Sequence, residues 1–355
     1  VAVLGDVSVL RSDGGIMDVV SPSSRRPDRV TRLLLGAMHA GARRRRRGAV
    51  HAAPSPAAHD AAPLASIADP GPDVLARLRA ATDRPCFPQG LSSLQVRRVV
   101  RLLVPGAEGL RPARLYLPYG PVRGVVLFLH GGGFVHCGLN SHHGICCRLA
   151  RQSGAAVLSF DYRLAPEDRF PAAVEDCRAA LRFVAAEAWR WGGVVAVAGD
   201  SAGGNLAAVL AQDAQRGGPA VAMQVLVYPS LYGARAAEAH DLYGEDYMLT
   251  TRLLDWYGRC YITPGMDLQD RRFAPGLTQD LRGLAPAMIL TAEFDPLEHD
   301  GRDYAHALAA AGVPVTYRRL AGTIHGFLNF YSFMPKGRRA IALAASALRE
   351  RFAAA

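Results

Sequence analysis

The sequence predicts an α/β fold on a mostly parallel sheet of eight strands, and three observations predict it. Short apolar runs recur from residue 96 onward, helical segments separate most of them, and glycine-rich turns close several. Short continuous apolar runs suit strands buried on both faces of a parallel sheet. Strand–helix alternation sustained over roughly 250 residues suits a doubly wound arrangement.

Taken in order, residues 96–104 and 114–117 read as two strands around a turn at 105–112. Strands follow at 124–129, 155–160, 194–198, 223–227, 287–290 and 313–318. Helical patterns fill 142–152, 171–189, 203–216 and 301–311, and a short amphipathic helix fits 73–81, stopped near Pro85. Residues 231–280 break the rhythm: they carry helical and loop character with many Tyr and Trp and no clear strand, which fits an insertion over the sheet. Residues 1–60 show no sustained periodicity and are dominated by Pro, Ser, Gly, Ala and Arg, the composition of a flexible leader or a mis-assigned start. The domain itself is expected over 61–355.

The net charge of +10 invites a nucleic-acid reading, but residues 1–60 hold ten Arg against five acids, so half the excess sits there. Downstream, acids and bases are interspersed, and no basic stripe alternates with aromatics as a backbone-tracking surface requires. Six cysteines form no CxxC pair and no metal-ligand spacing, so reduced, buried thiols are expected and no metal. No stretch approaches the ~20 apolar residues of a membrane span. Residues 33–38 are too short for a signal core, and their basic cluster follows them instead of preceding them. A cytoplasmic protein with no nucleic-acid partner and no membrane span is the expectation.

Chemistry concentrates in three places. Gly199-Asp200-Ser201-Ala202-Gly203 lies directly between a predicted strand and a predicted helix. That GxSxG string is weak alone; its context gives it meaning, because a strained strand-to-helix turn lifts a serine hydroxyl clear of the sheet. A helix N-cap serine is the bland alternative. His130-Gly131-Gly132-Gly133 ends another strand, and successive glycines let backbone N–H groups approach a ligand with no Cβ in the way. It lacks both the GxGxxG spacing and the P-loop lysine, which disfavours a nucleotide cradle. Finally, Asp295 and His325 each follow a predicted strand, and loops beyond the carboxyl ends of parallel strands converge on one crevice. The order Ser201, Asp295, His325 gives a nucleophile, an acid and a base at three strand ends.

At these residues the chain resembles the hormone-sensitive-lipase-like carboxylesterases, the bacterial GDSAG type in particular. The likeness runs from about residue 70 to the end through HGGGF (130–134), DYRLAPE (161–167), FPAAVEDC (170–177), GDSAGGNLA (199–207), YP (228–229), AEFDPL (292–297) and IHGF (324–327). It implies the α/β-hydrolase fold with a helical cap from about 65–95 and 231–280. It also implies a triad of Ser201, Asp295 and His325, an oxyanion hole from the amides of Gly132, Gly133 and Ala202, and no cofactor. Glu167 and Asp176 match positions that are structural in the family. The expected activity is hydrolysis of small-molecule esters with short to medium acyl chains through an acyl-enzyme, by a monomer or homodimer.

Aromatics Phe134, Trp256, Tyr257, Tyr261, Phe273 and Phe327 are candidates for the substrate pocket, against the plainer alternative that they pack the cap onto the sheet. Where the family has Gly, this chain has Cys137, so the loop after the oxyanion motif is open to a different shape or to thiol sensitivity. Asp300 is a rival for the acid. An amidase or arylacetamide deacetylase uses the same triad. A non-catalytic ligand receptor on this fold, as in plant gibberellin receptors, lacks the histidine that His325 supplies. The strand at 313–318, read as a sheet edge, offers one route to a dimer.

Overall fold

The computed structural model describes residues 8–11, 16–20, 26–48, 72–84, 89–233, 243–245 and 247–355. The strands are β1 (Ser8–Arg11), β2 (Ile16–Val20), β3 (Arg98–Gly106), β4 (Gly109–Leu117), β5 (Val125–Leu129), β6 (Ala156–Phe160), β7 (Val195–Asp200), β8 (Gln224–Val227), β9 (Ala287–Phe294) and β10 (Val315–Ile324). The helices are α1 (Arg29–Gly48), α2 (Pro72–Thr82), α3 (His143–Ser153), α4 (Ala172–Glu187), α5 (Ala202–Gln215), α6 (Thr251–Tyr261), α7 (Glu298–Ala310) and α8 (Pro335–Ala353).

All ten strands join one sheet in the order β1-β2-β10-β9-β8-β7-β5-β6-β4-β3. Pairing is parallel from β2 through β6 and antiparallel at the two ends, β1 with β2 and β6-β4-β3. Every residue of β5, β6, β7 and β8 is buried, as strands covered on both faces must be. Side chains alternate across the sheet. Val125, Leu127 and Leu129 of β5 enter a core with α4, α5 and α7, while Val126 and Phe128 enter a second core with α3 and α8. The fold is the α/β-hydrolase fold the motifs implied.

The eight expected strands are present, but several run further than the apolar runs. β7 extends through Gly199 and Asp200, β9 through Phe294 and β10 through Ile324. The added stretches interrupt the apolar runs with polar residues or glycine, among them Gly199, Asp200, Glu293, Arg319 and Gly322, and pairing with the neighbouring strand satisfies their backbone. The expected turn at 105–112 shrinks to Ala107 and Glu108, because Gly106 pairs with Gly109. The C-terminal helix α8 is an addition to the expected set; its Ala340, Ile341, Ala344 and Leu348 recur at helical spacing and close the second core.

The first 60 residues contribute β1, β2 and α1. β2 pairs in parallel with β10, so β10 is an interior strand, and the dimer route through its edge is withdrawn. Asp28 N–H and Thr31 Oγ1–H both donate to Gly322 O, at 3.1 and 2.9 Å, and Lys336, the only lysine, pairs with Asp28 at 2.9 Å. The side chains of the five arginines at 43–47 lie outside the described residues, as do 49–71, 85–88, 234–242 and 246, which fall within the leader and cap regions expected from sequence. No helix among the described residues is long and apolar enough to cross a membrane.

Candidate active site

Sheet register brings the three chemical residues together. Asp200, the last residue of β7, pairs with Val227, and Leu129 at the end of β5 pairs with Gly199. Ser201 therefore leaves the sheet beside the loop that begins at His130. Phe294 and Ile324 are register partners on β9 and β10, so the next residues, Asp295 and His325, emerge side by side. A register shift between Leu320 and Ile324 carries β10 to that point. Gly322 sits in it with φ of 72°, its N–H donating to Glu293 Oε2 at 2.7 Å.

Ser201 has φ of 54°, a left-handed conformation rare for a side chain with Cβ. Its N–H is held by Val227 O at 2.9 Å. The turn is that tight because a Cβ on Gly203 would collide with the carbonyl oxygens of Leu129 and His130. Ser201 Oγ lies 2.9 Å from His325 Nε2, and His325 Nδ1 lies 2.7 Å from Asp295 Oδ2. Asp295 is fully buried, and its other oxygen accepts the Leu297 N–H at 2.9 Å. With Nδ1–H held by the carboxylate, Nε2 is the imidazole nitrogen that faces the serine proton. Asp300 is engaged elsewhere: its Oδ2 accepts the N–H groups of Leu231 and Tyr232 at 2.7 and 3.1 Å, clamping the start of the 231–280 insertion.

The glycine loop is anchored from below by Asp200. Its Oδ1 accepts the Gly131 N–H at 2.9 Å and lies 3.0 Å from His142 Nε2, at ion-pair distance. Burial works to raise the Asp200 carboxyl, but His142 and the Gly131 amide hold it below its ordinary value. Above Asp200, Tyr228 reaches Oδ2 at 3.4 Å and tilts its ring against His325, centroids 4.7 Å apart. His130 is not a base: it is fully buried, stacked on Tyr162, and burial pushes it down to about 4. Among the described residues, the amides of Gly132, Gly133 and Ala202 meet no protein acceptor.

A cavity of about 860 Å³ opens at Ser201, with Gly133 and Ala202 in its lining. Phe134, Trp256, Tyr257, Tyr261 and Phe273 also line it, so five of the six pocket candidates reach it. Several pack as well as line: Phe134 stacks on Tyr261 with centroids 3.8 Å apart, and Phe170 sits edge-on to both Tyr261 and Phe273. Phe327 is the exception and is corrected here. It is fully buried in the second core, edge-on to Tyr228, because the chain turns at Gly326, with φ of 74°, and carries Phe327 into that core with Leu328 and Tyr331. Leu254, Ile262, Asn205 and Arg169 line the cavity without having been singled out; nothing in a lone residue's type signals such a position.

The structural expectations for Glu167 and Asp176 can be read directly. Arg79 of α2 forks onto both Glu167 oxygens at 2.7 Å and also donates to the carbonyls of Val135 and Ala165, tying α2 to the glycine loop. Asp176 is fully buried under Arg163 and accepts the N–H groups of Ala107 and Arg163. Cys137, Cys146, Cys147, Cys177 and Cys260 are free thiols; Cys86 lies outside the described residues.

A family profile described as the alpha/beta hydrolase fold matches residues 126–329. The carboxylic ester hydrolase LipN of Mycobacterium tuberculosis is 43% identical over 66% of this chain, a match spanning 65% of LipN itself. The esterase LipI of the same organism is 38% identical over 82% of this chain and 92% of its own length. Among solved structures, the hyperthermophilic esterase of the archaeon Pyrobaculum calidifontis superposes with a TM-score of 0.73 at 39% identity, covering 78% of this chain and 93% of that one.

Proposed function

The chain belongs to the alpha/beta-hydrolase-fold family and is a carboxylic ester hydrolase, and on that premise we propose that it works as a serine esterase through an acyl-enzyme at Ser201. The observation that carries this reading is the unbroken chain Ser201 Oγ–His325 Nε2, His325 Nδ1–Asp295 Oδ2, at 2.9 and 2.7 Å.

In the first half, Ser201 Oγ bonds to the ester carbonyl carbon while its proton moves to His325 Nε2, and Asp295 stabilises the imidazolium. The carbonyl oxygen becomes an oxyanion, received by the amides of Gly132, Gly133 and Ala202, each donor contributing on the order of 3 kcal/mol. The C–O bond to the alcohol then breaks, and His325 returns the proton to that oxygen. In the second half, water attacks the acyl-serine by the same route, and the carboxylic acid leaves.

The segments at about 65–95 and 231–280 act as a cap over the acyl group, and the aromatic, largely apolar lining that the second of them gives the cavity suits short to medium chains. The test has two arms. Ser201→Ala should lower turnover of p-nitrophenyl butyrate by more than about a thousandfold; a parental rate would overturn the assignment. A series of p-nitrophenyl esters should peak below C12, and a preference for C12 or longer would overturn the pocket.

A further inference from the structure

Two side chains join α6 to the turn carrying the glycine amides, and neither belongs to the serine–histidine–aspartate chain. His136 lies in the turn that starts at Gly132: its own N–H and that of Val135 both donate to Gly132 O, at 3.1 and 3.0 Å. Its Nε2 lies 2.6 Å from the hydroxyl of Tyr257 on α6. The Tyr257 ring covers Gly133 so closely that a Cβ there would lie 2.6 Å from a ring carbon. Tyr257 also lines the cavity at Ser201.

From this arrangement we propose that His136 is a positioning residue which, through its hydrogen bond to Tyr257, holds α6 down on Gly133 and so fixes the oxyanion turn and the adjoining wall of the substrate cavity. It rests on the serine-esterase reading above.

The direction of the hydrogen bonds follows from the protonation states. Burial, reinforced by His130 and His142, pushes His136 down to about 4, so it is neutral at working pH. Burial pushes the Tyr257 phenol well above its ordinary range, so it keeps its proton and donates. Nε2 accepts that bond, which leaves the imidazole proton on Nδ1, 3.2 Å from the Cys137 sulfur. The ring is thus held from both nitrogens. Tyr257 can neither swing away from Gly133 nor rotate into the cavity without abandoning a half-buried acceptor. A turn with this many backbone donors freed for a ligand needs such a brace, since a displacement of about 1 Å at a reacting centre can cost about a hundredfold in rate.

The experiment compares full-length His136→Leu, His136→Gln and Tyr257→Phe with the parent. Readouts are kcat and KM for p-nitrophenyl butyrate, binding of a trifluoromethyl ketone that forms an oxyanion on Ser201, and thermal midpoint. The proposal expects His136→Leu and Tyr257→Phe to lower kcat and weaken ketone binding together, by about 10- to 100-fold, with KM changed less than about threefold. His136→Gln, whose amide oxygen can still accept from Tyr257, should recover most of the loss. Unchanged kcat and ketone affinity in Leu and Phe variants that fold would overturn it. So would a His136→Gln protein as impaired as His136→Leu at an unchanged thermal midpoint. Failure of the underlying reading looks different: the parent would not bind the ketone, and Ser201→Ala would retain activity.

Discussion

The two sides of the cavity are held in different ways. On the sheet side, backbone sets the positions. Among the described residues, four non-glycine residues adopt positive φ, Phe134, Cys137, Ser201 and Tyr228, and all four lie in loops leaving β5, β7 or β8. A methyl group at Gly203 would meet main-chain oxygens. On the cap side, side chains set the positions. A methyl group at Gly133 would meet the Tyr257 ring first, and α6 is held by the Phe134–Tyr261 stack, the Tyr257–His136 bond and Arg169, which donates to the Arg259 and Ile262 carbonyls at 2.6 and 2.9 Å. The Ser201–His325 pair therefore sits where backbone leaves least room for sequence change, and the aromatic wall of the cavity sits where side chains can be exchanged.

The largest expected effect breaks the sheet side. Gly203→Ala forces main chain apart and should cost more than about 3 kcal/mol of stability, with activity lost. Gly133→Ala meets a side-chain ring instead of main chain, at a φ of 62° that alanine adopts for roughly 1–2 kcal/mol, and should cost less in stability than Gly203→Ala while altering relative rates along an ester series. Denaturant unfolding and a rate series on both variants check this, and equal stability losses would remove the distinction.

Acid should act next. His130, buried, and His136, half-buried, are both held neutral by desolvation with values near 4, below the ~6.5 of an exposed histidine. The folded state therefore binds fewer protons than the unfolded state between those values, so stability present above pH ~6.5 is lost as pH falls towards 4. Glu167 adds a later step on the cap side. Arg79 holds its carboxyl below the ordinary value, so its contribution is present above ~4.3 and is lost as pH falls through the lowered value. Thermal midpoints from pH 7 to 3 should fall throughout, and Glu167→Gln should flatten only the acid end.

Cys137 gives the smallest effect. Its φ of 68° is one that glycine adopts freely, so Cys137→Gly should leave activity near parental and shift stability by no more than about 1 kcal/mol. Burial pushes the thiol up to about 12, so alkylation by iodoacetamide at pH 8 should be slow compared with a free thiol. Rapid, inactivating alkylation would restore the thiol-sensitive loop that the sequence left open.

Much of the site was legible because its chemistry is written in short motifs. GDSAG, HGGG and the loops bearing Asp295 and His325 each combine a residue type with a strand end, and strands are readable from apolar runs. The ends of β7, β9 and β10 beyond their apolar runs were not readable, since their pairing depends on neighbours distant in sequence. His136 and Asp200 were passed over for a related reason. A lone histidine or acid acquires a role only from what lies within 3 Å of it.

By itself, the sequence determined the fold class, the chain order of Ser201, Asp295 and His325 at three strand ends, and the run of glycines after β5, because each of these is local in the chain. Tertiary structure decided the rest. It put Asp300 on the insertion and Phe327 in the core, paired β10 with β2 inside the sheet, and joined Tyr257 of α6 to His136 in the turn that starts at Gly132. Those outcomes depend on register and packing between segments 60 or more residues apart, which no local pattern encodes.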